Sequence, residues 1–222
     1  MQYNFDFDYI WSSAPALLDG FILTVQVTAI SIVLTVIVGV IGAVIRVLAV
    51  PVLSHLVIAY VSLVRNTPLL AQIFFIFYGL PSIGLGLSIF NSGVLALVIW
   101  GGAYNVENVR GGFLAVPKGL REAGASLGLR PLPYMWLIAI PLGIRVSLPA
   151  VLNTSVSVLK NSAYLQAIGL AELTFVAMER IAMDFRTLEM FAAIGLIYLG
   201  LVLTLSILVR RIEHVMHRPF RG

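Results

Sequence analysis

The segment that decides how this chain is organised reads Arg121-Glu122-Ala123-Gly124-Ala125-Ser126-Leu127-Gly128-Leu129, followed by Ile138 and Pro141. It is a polar interruption between long apolar runs. Its apolar side chains recur at spacings of 4, 3 and 4, which places them on one helical face: Val116, Leu120, Ala123 and Leu127. Gly128 follows that face and is well placed to end the helix in a left-handed C-cap. The pattern predicts a short amphipathic helix between two membrane spans.

The composition sets the class of protein. Of 222 residues, 60% are hydrophobic and 11% are charged, with a mean hydropathy of +1.02. These values indicate an all-α polytopic membrane protein and exclude the soluble classes. The absence of cysteine excludes disulfides, thiol catalysis and cysteine metal sites. The net charge of +4 comes from basic residues beside apolar runs, so we interpret it as a topology signal and expect no nucleic-acid partner.

Five membrane spans are predicted in a single transmembrane domain covering 1–222. The run from Gly20 to Ile45 carries no charge, and its 26 residues would extend about 39 Å as a helix, so it is predicted to remain as the first span rather than be cleaved. The other spans follow from similar runs, with Arg65 inside the second. The predicted spans are 20–46, 54–80, 91–110, 132–158 and 189–209.

The distribution of basic residues predicts the orientation. Nine of the fourteen lysines and arginines lie after spans one, three and five: Arg46, Arg110, Lys118, Arg121, Arg130, Arg210, Arg211, Arg218 and Arg221. By the positive-inside rule, the N-terminus is predicted outside and the C-terminus in the cytoplasm. The loop 111–131 is then cytoplasmic and the segment 161–188 is external.

Five motifs in a fixed order carry a family resemblance over about residues 17–212. They are Arg65 to Leu70, the group Ala103-Tyr104 with Glu107, Arg110 and Gly111, the 121–129 segment, Pro141 to Pro149 around Arg145, and Ile168 to Leu173. In these the chain resembles permeases of the polar amino-acid uptake group of ABC transporters. The 121–129 segment resembles their EAA loop, with Gly124 in its third position. The resemblance implies a type I ABC importer permease fold in the bacterial cytoplasmic membrane.

The resemblance also implies a role for the short helix, as the coupling helix that seats in a groove of an ATPase subunit. The positions matching this motif are Arg121, Glu122, Ala123, Gly124, Gly128 and Pro141. From the residues alone, an interfacial helix with no partner is the alternative. The chain has no G-x-x-x-x-G-K-[ST] phosphate loop, so we expect a non-catalytic subunit with no cofactor of its own.

The partners follow from the same resemblance. ATP and Mg²⁺ are expected on a separate ATPase dimer. A second permease subunit, identical or paralogous, is expected to complete the pathway. An extracytoplasmic solute-binding protein would deliver the solute, and the segment 161–188 would form part of its docking surface. A solvated loop with mixed charges is the alternative for that segment.

Charged residues in or beside apolar runs need partners or a water-lined face. Glu107 and Arg110 lie three residues apart on one predicted helix and are expected to pair. Arg65 is a second expected partner of Glu107, across spans two and three. Snorkelling or ion pairs near the cytoplasmic edge are the structural alternative to a role in transport. His55, His214 and His217 have no second ligand cluster, so no metal site is predicted.

Two polar regions are predicted to line the translocation pathway. In span two, Pro68 removes one helix hydrogen bond and frees the carbonyl near residue 64, which suggests that Thr67 and Gln72 touch the solute. An ordinary proline kink is the alternative. Late in span four, a polar stripe includes Asn153, Ser157, Lys160, Asn161 and Ser162. Hydrogen bonding between helices is the alternative interpretation for this stripe.

The solute class is predicted from a segment in which this chain differs from the family that it resembles. Relatives often read Lys-Asp-Thr-Ser-Leu where this chain reads Lys160-Asn161-Ser162-Ala163-Tyr164. The missing acidic residue favours a neutral or acidic amino acid, such as glutamine or glutamate, over a cationic one.

The predicted function is therefore a permease subunit of an ATP-driven importer of a polar amino acid that works by alternating access. An ATP-independent transporter or channel-forming subunit is the alternative, and it would need an intramembrane acidic residue, for which only Glu107 is available. A non-transporting scaffold is a third hypothesis. It leaves the polar stripe and the EAA spacing without a purpose.

Overall fold

The computed structural model describes residues 4–217, apart from the side chains of Pro131 and residues 215–217. The described residues form helices and turns without strands. The α-helices are α1 Phe7–Val47, α2 Leu53–Arg65, α3 Leu69–Phe74, α4 Ile89–Leu114, α5 Lys118–Ser126, α6 Pro131–Tyr134, α7 Ile140–Asn161, α8 Leu173–Asp184 and α9 Thr187–His217. Arg218 and Arg221, which enter the charge argument above, lie outside the described residues.

Four helical stretches are long and apolar enough to cross a membrane. They are Phe7–Val47, Ile89–Leu114, Leu132–Ile168 and Thr187–His214. A fifth crossing exists if α2 and the stretch Leu69–Ile83 count as one span, but these two are bent by 111°. The prediction of about five spans is confirmed in these terms. Within the predicted span 54–80, the chain breaks at residues 66–68, just before Leu69, where Pro68 was expected to remove a helix hydrogen bond.

The centre of the fold is α4, which packs along α1 on one side and against α7 on the other. Small residues allow these helices to approach closely, as is common where membrane helices associate without a hydrophobic driving force. A Cβ added to Gly39 on α1 would lie 2.3 Å from the Cβ of Asn105 on α4. On the other side of α4, a Cβ added to Gly112 would lie 2.3 Å from the carbonyl oxygen of Gly143 on α7. The spacing between the three helices therefore depends on these glycines.

The helix α1 begins thirteen residues before the predicted first span (20 minus 7). Asp6 caps it, since its side chain accepts a hydrogen bond from the Tyr9 backbone N–H at 3.1 Å. The backbone N–H of Asp6 also donates to Glu189 Oε1 at 3.1 Å, and the Tyr9 hydroxyl donates to Asp184 at 2.8 Å. These bonds fasten the start of α1 to the turn between α8 and α9.

The segment 161–188 is not a solvated loop. It contains a 3₁₀ helix, Ser162–Ile168, and then α8, which packs against both α1 and α9. The apolar side of α8, with Leu173, Val176 and Ala177, joins Met190 and other residues of α9 in a buried cluster. Burial of this side explains why the segment folds as a helix despite its mixed charges.

Candidate functional site

The predicted short helix is present as α5, and its end has the expected geometry. Gly128 adopts a left-handed φ of +77°. Its N–H donates to the Ala125 carbonyl at 2.9 Å, and the N–H of Leu129 donates to the Gly124 carbonyl at 2.9 Å. This pair of bonds is a Schellman motif, which satisfies the last carbonyls of a helix. The predicted left-handed C-cap at Gly128 is confirmed.

The glycine at the third position of the EAA-like motif, Gly124, is explained by local packing. Gly124 is buried, whereas Glu122 and Ala123 are exposed. A Cβ on Gly124 would lie 3.2 Å from Cδ2 of Tyr134 and 3.9 Å from Cδ1 of Ile138. Because 3.2 Å is tighter than an ordinary Cβ contact, glycine lets α5 rest on the segment that leads into α7. Gly124 therefore contacts its own chain and is not part of the outward surface.

The outward face of α5 has no partner among the described residues. Leu120 is 38% exposed and Leu127 is 82% exposed. Ala123 lies between them and is exposed, as is Glu122 beside them. Arg121, by contrast, faces a groove at the ends of α1 and α4. Pro141, the second residue of α7, is exposed.

Glu107 lies between two arginines. The Arg110 guanidinium donates to Glu107 Oε2 at 3.0 and 2.7 Å, which confirms the predicted pair. Arg46, at the end of α1, pairs with Glu107 Oε1. The predicted Arg65 partner is wrong, because Arg65 instead lies over the ring of Tyr104, 5.0 Å from its centroid. Both carboxylate oxygens of Glu107 are thus engaged in ion pairs, so the acidic residue that the ATP-independent alternative needs already has two partners.

The break between α2 and α3 is bridged by Gln72. Its Nε2 lies 2.9 Å from the Val64 carbonyl, 3.1 Å from the Thr67 carbonyl and 2.8 Å from Thr67 Oγ1. The Val64 carbonyl is the one that Pro68 was expected to free. Both predicted pathway residues thus contribute to the bend. Gln72 Oε1 is buried and has no hydrogen-bond partner among the described residues, so one acceptor remains available there.

The polar stripe of α7 divides between two faces. Thr154 is buried and accepts a hydrogen bond from Asn108 Nδ2 of α4 at 2.9 Å. Ser162 is also buried, and its hydroxyl donates to the Leu159 carbonyl at 2.7 Å. These two residues fit the interhelical and local hydrogen-bonding alternative. Sequence reasoning missed Asn108, although an asparagine inside an apolar run was the available signal.

The opposite face of α7 carries the rest of the stripe. Asn153 and Lys160 are exposed and Ser157 is half-buried; they recur at spacings of 4 and 3 and so share one face. Lys160 borders a groove of about 340 Å³ together with Tyr198 of α9. Asn161 is half-buried at the end of α7. Of the five predicted residues, three therefore form one polar surface.

A buried acidic residue lies close to this surface. Glu172 is fully buried and caps α8, accepting hydrogen bonds from the backbone N–H groups of Thr174 and Phe175, each at 2.9 Å. The Tyr198 hydroxyl donates to Glu172 Oε2 at 2.8 Å. Burial raises the pKa of Glu172, although these hydrogen bonds act in the opposite direction. The sequence offered one signal, an acidic residue directly before an amphipathic run.

A bundle of membrane-spanning helices with a short capped helix between its third and fourth crossings is the architecture of an ABC importer permease subunit. Residues 35–218 match the family of the binding-protein-dependent transport system inner membrane component, and the chain belongs to that family. It is accordingly a multi-pass inner membrane protein. The resemblance drawn from the sequence motifs is confirmed.

The relatives of the chain are amino-acid permeases. It is 33% identical over 215 residues to the glutamine transport system permease protein GlnP of Escherichia coli strain K12, covering 96% of this chain and 98% of that protein. It is 34% identical over 206 residues to the probable amino-acid ABC transporter permease protein PatM of Vibrio harveyi, covering 91% and 92%. Permeases named for amino acids thus match the chain along almost its whole length.

Solved structures support the same fold. A crystal structure of an amino acid ABC transporter with histidines superposes with a TM-score of 0.89 at 32% identity, covering 96% of this chain and 99% of that one. The MetNI methionine ABC transporter gives a TM-score of 0.81 at 19% identity, with 93% and 99% covered, and shares the fold. The predicted type I importer permease fold is confirmed.

Proposed function

We propose that this chain is the translocation subunit of a bacterial ABC importer that carries a polar amino acid inward by alternating access. The observation that carries the proposal is the exposed outer face of α5, where Leu120, Ala123 and Leu127 lie together with no partner in the described part of the chain. In the proposed complex, this face seats in an ATPase subunit, and Glu122 contributes a charged contact at its edge.

The geometry of α5 suits transmission of force. Gly124 holds the helix against Tyr134 and Ile138, and the chain then continues through a π-helical turn, Met135–Ala139, into α7. Because α7 packs against α4 in the bundle, a displacement of α5 is passed to the core helices. Closure of an ATPase dimer would bias this bundle between two arrangements. ATP and Mg²⁺ would be bound by that dimer, and this chain would supply no catalytic group or cofactor.

The polar face of α7 is proposed to line the pathway opposite a second permease subunit, identical or paralogous. A zwitterionic amino acid needs a cation for its carboxylate and an acceptor for its ammonium group. Lys160 supplies the cation, and Asn153 and Ser157 supply hydrogen-bonding groups one turn apart. Gln72 Oε1, at the helix break, is a second available acceptor. Thr67, Asn161 and Ser162 then position these groups.

The solute is proposed to be neutral or acidic, with glutamine or glutamate as the first candidates. Lys160 is a cation, and no acidic side chain occupies the exposed stripe beside it to receive a cationic solute. The relatives include permeases named for glutamine, from Escherichia coli and Bacillus subtilis. The orientation follows the charge argument, with α5 and the C-terminus in the cytoplasm. A solute-binding protein would then dock on the opposite side, near α8.

The test is solute-stimulated ATP hydrolysis by the reconstituted complex, comparing the wild-type chain with Glu122→Lys. The proposal predicts loss of stimulation while the subunits still assemble in the membrane. Glu213→Lys is the matched control, since Glu213 lies on the same predicted side of the membrane but on α9, outside both α5 and the proposed binding-protein surface. This control variant is expected to keep its stimulation. Hydrolysis and uptake unchanged in Glu122→Lys would show that α5 is an inert interfacial helix.

The solute assignment has its own measurement. In the same vesicles, uptake of labelled glutamine is competed by unlabelled glutamate, arginine and lysine. The proposal predicts competition by glutamate and none by the two cationic amino acids. It also predicts that Lys160→Met raises KM more than it lowers kcat for ATP-driven uptake, because the side chain contacts the carboxylate in the bound state. Effective competition by arginine would contradict the assigned solute class.

A further inference from the structure

A groove of about 790 Å³ lies at one end of the helical bundle. It is bounded by Val47 and Leu48 at the end of α1, by Leu114 at the end of α4, and by Leu132 and Met135 where the next crossing begins. Three candidate membrane spans thus end or start at this groove. Its position is therefore the border between the apolar interior of the membrane and water.

One wall of the groove is charged. Lys118, Arg121 and Ala125 of α5 recur at spacings of 3 and 4 and line it together. Among the described residues that line the groove, none is acidic. Within the part of the chain that the structure describes, neither Lys118 nor Arg121 forms an ion pair. Two uncompensated cations therefore border a cavity whose other walls are mostly apolar.

We infer that this groove binds an anionic phospholipid. The phosphate would lie between Lys118 and Arg121, and an acyl chain would follow the apolar wall formed by Val47, Leu114 and Leu132. Three observations favour a lipid: the site combines anion-binding and apolar walls, it lies at the membrane border, and basic residues at that border attract anionic headgroups. An ion without an apolar part would leave most of the wall unused.

The groove is separate from the surface proposed to dock the ATPase. Leu127, 82% exposed, lies on the outward side of α5, whereas Lys118 and Arg121 line the groove. A bound lipid would therefore hold α5 at the bilayer surface without covering the outward face. The inference does not depend on the proposed solute or on the ATPase contact, since it rests on the groove and its charges.

The test measures which lipid lies next to Trp136, in the π-helical turn whose neighbours Met135 and Ala139 line the groove. The full chain, with Trp11 and Trp100 replaced by phenylalanine, is placed in phosphatidylcholine nanodiscs. A fixed share of the lipid is either brominated phosphatidylglycerol or brominated phosphatidylcholine, and quenching of Trp136 fluorescence is compared. Stronger quenching by the phosphatidylglycerol is expected.

Variants locate the effect at the groove. Lys118→Gln is expected to reduce the preference for phosphatidylglycerol about fivefold, equivalent to the ~1 kcal/mol that one basic residue contributes near an anionic surface. Lys118→Arg keeps the charge and should restore the preference. Arg130→Gln is the matched control, because Arg130 is exposed in the same loop but does not line the groove.

Three outcomes would overturn the inference. The two brominated lipids could quench the wild-type chain equally, which would mean that no anionic lipid is selected. Lys118→Gln and Arg130→Gln could lower the preference by the same factor, which would mean that only the general charge of the loop matters. Finally, Lys118→Gln could weaken binding of the ATPase subunit while leaving the lipid preference intact, which would assign the side chain to a protein contact.

Discussion

Two adjacent glycines on α4 should respond in opposite ways to the same substitution. Gly112 faces α7, and its added Cβ would lie 2.3 Å from the Gly143 carbonyl oxygen and 2.7 Å from the Cβ of Ser147. Gly111 is the neighbouring residue, and its added Cβ would meet nothing within 4 Å. We therefore predict that Gly112→Ala destabilises the chain and that Gly111→Ala does not.

The magnitude follows from the contact. A carbon–oxygen contact is normally about 3.3–3.6 Å, so α4 and α7 must separate by ~1 Å at Gly112, and such overpacking costs ~1–3 kcal/mol. Gly111→Ala instead gains ~0.5–1 kcal/mol, because alanine loses less backbone entropy in a helix. The two variants should therefore differ by ~1.5–4 kcal/mol. For a chain of this size, that corresponds to ~3–16 °C in Tm.

The assay is thermal unfolding of the purified full chain in detergent, followed by the fraction that remains monodisperse after heating. Both variants carry the same added methyl group one residue apart, so general effects of alanine cancel in the comparison. Equal midpoints for the two variants would refute the close approach of α4 and α7. A midpoint for Gly111→Ala well below the wild type would refute the open surface described at that position.

Three further predictions concern polar groups. Gln72→Leu removes the bridge across the α2–α3 break, so amide hydrogen exchange at the start of α3 should rise about tenfold, the equivalent of ~1.4 kcal/mol. Exchange in α4 should be unchanged. Exchange in α3 equal to that of the wild type would show that the bridge is not needed. Burial raises the pKa of Glu172 above its ordinary value of 4.5, so the folded state binds that proton more tightly than the unfolded state does. The contribution of Glu172 to folding stability is therefore greatest below pH 4.5, and it falls as the pH rises through the raised pKa. Glu172→Gln should remove this fall in the pH dependence of Tm and the exposed Glu179→Gln should retain it; the same fall in both variants would assign it to another group. Asn108→Leu should lower Tm by a few degrees, since it leaves Thr154 without its partner on α4, and an unchanged Tm would show that this bond adds no net stability.

The local features of the chain were predictable because local signals determine them. Gly128 follows an amphipathic run, and its left-handed conformation is what a helix C-cap requires. Glu107 and Arg110 lie three residues apart on one helix, so their pairing is fixed by helical geometry. The number of crossings follows from the length of the apolar runs.

The features that depend on how helices meet were not predictable. The Arg46 partner of Glu107 is set by the register of α1 against α4, and nothing in a single sequence gives that register. The Arg65 prediction failed for the same reason, since the register of α2 against α4 places Arg65 over the Tyr104 ring and not beside Glu107. The helix α8 had a local signal that went unused, with Leu173, Val176 and Ala177 on one face.

The break between α2 and α3 has a consequence for how the protein enters its membrane. The helix α2 has 13 residues, about 20 Å of helix, and the bent stretch after it, Leu69–Ile83, is similarly short. Neither half reaches across about 30 Å of hydrocarbon alone. During synthesis, therefore, α2 is not stably inserted in the bilayer until α4 has emerged from the ribosome and can pack against it. Biogenesis of this permease is then a concerted insertion of neighbouring segments. In chains truncated after residue 65, which α1 still anchors, a cysteine placed at Val61 of α2 should react with a water-soluble thiol reagent, whereas in chains that include α4 it should be protected.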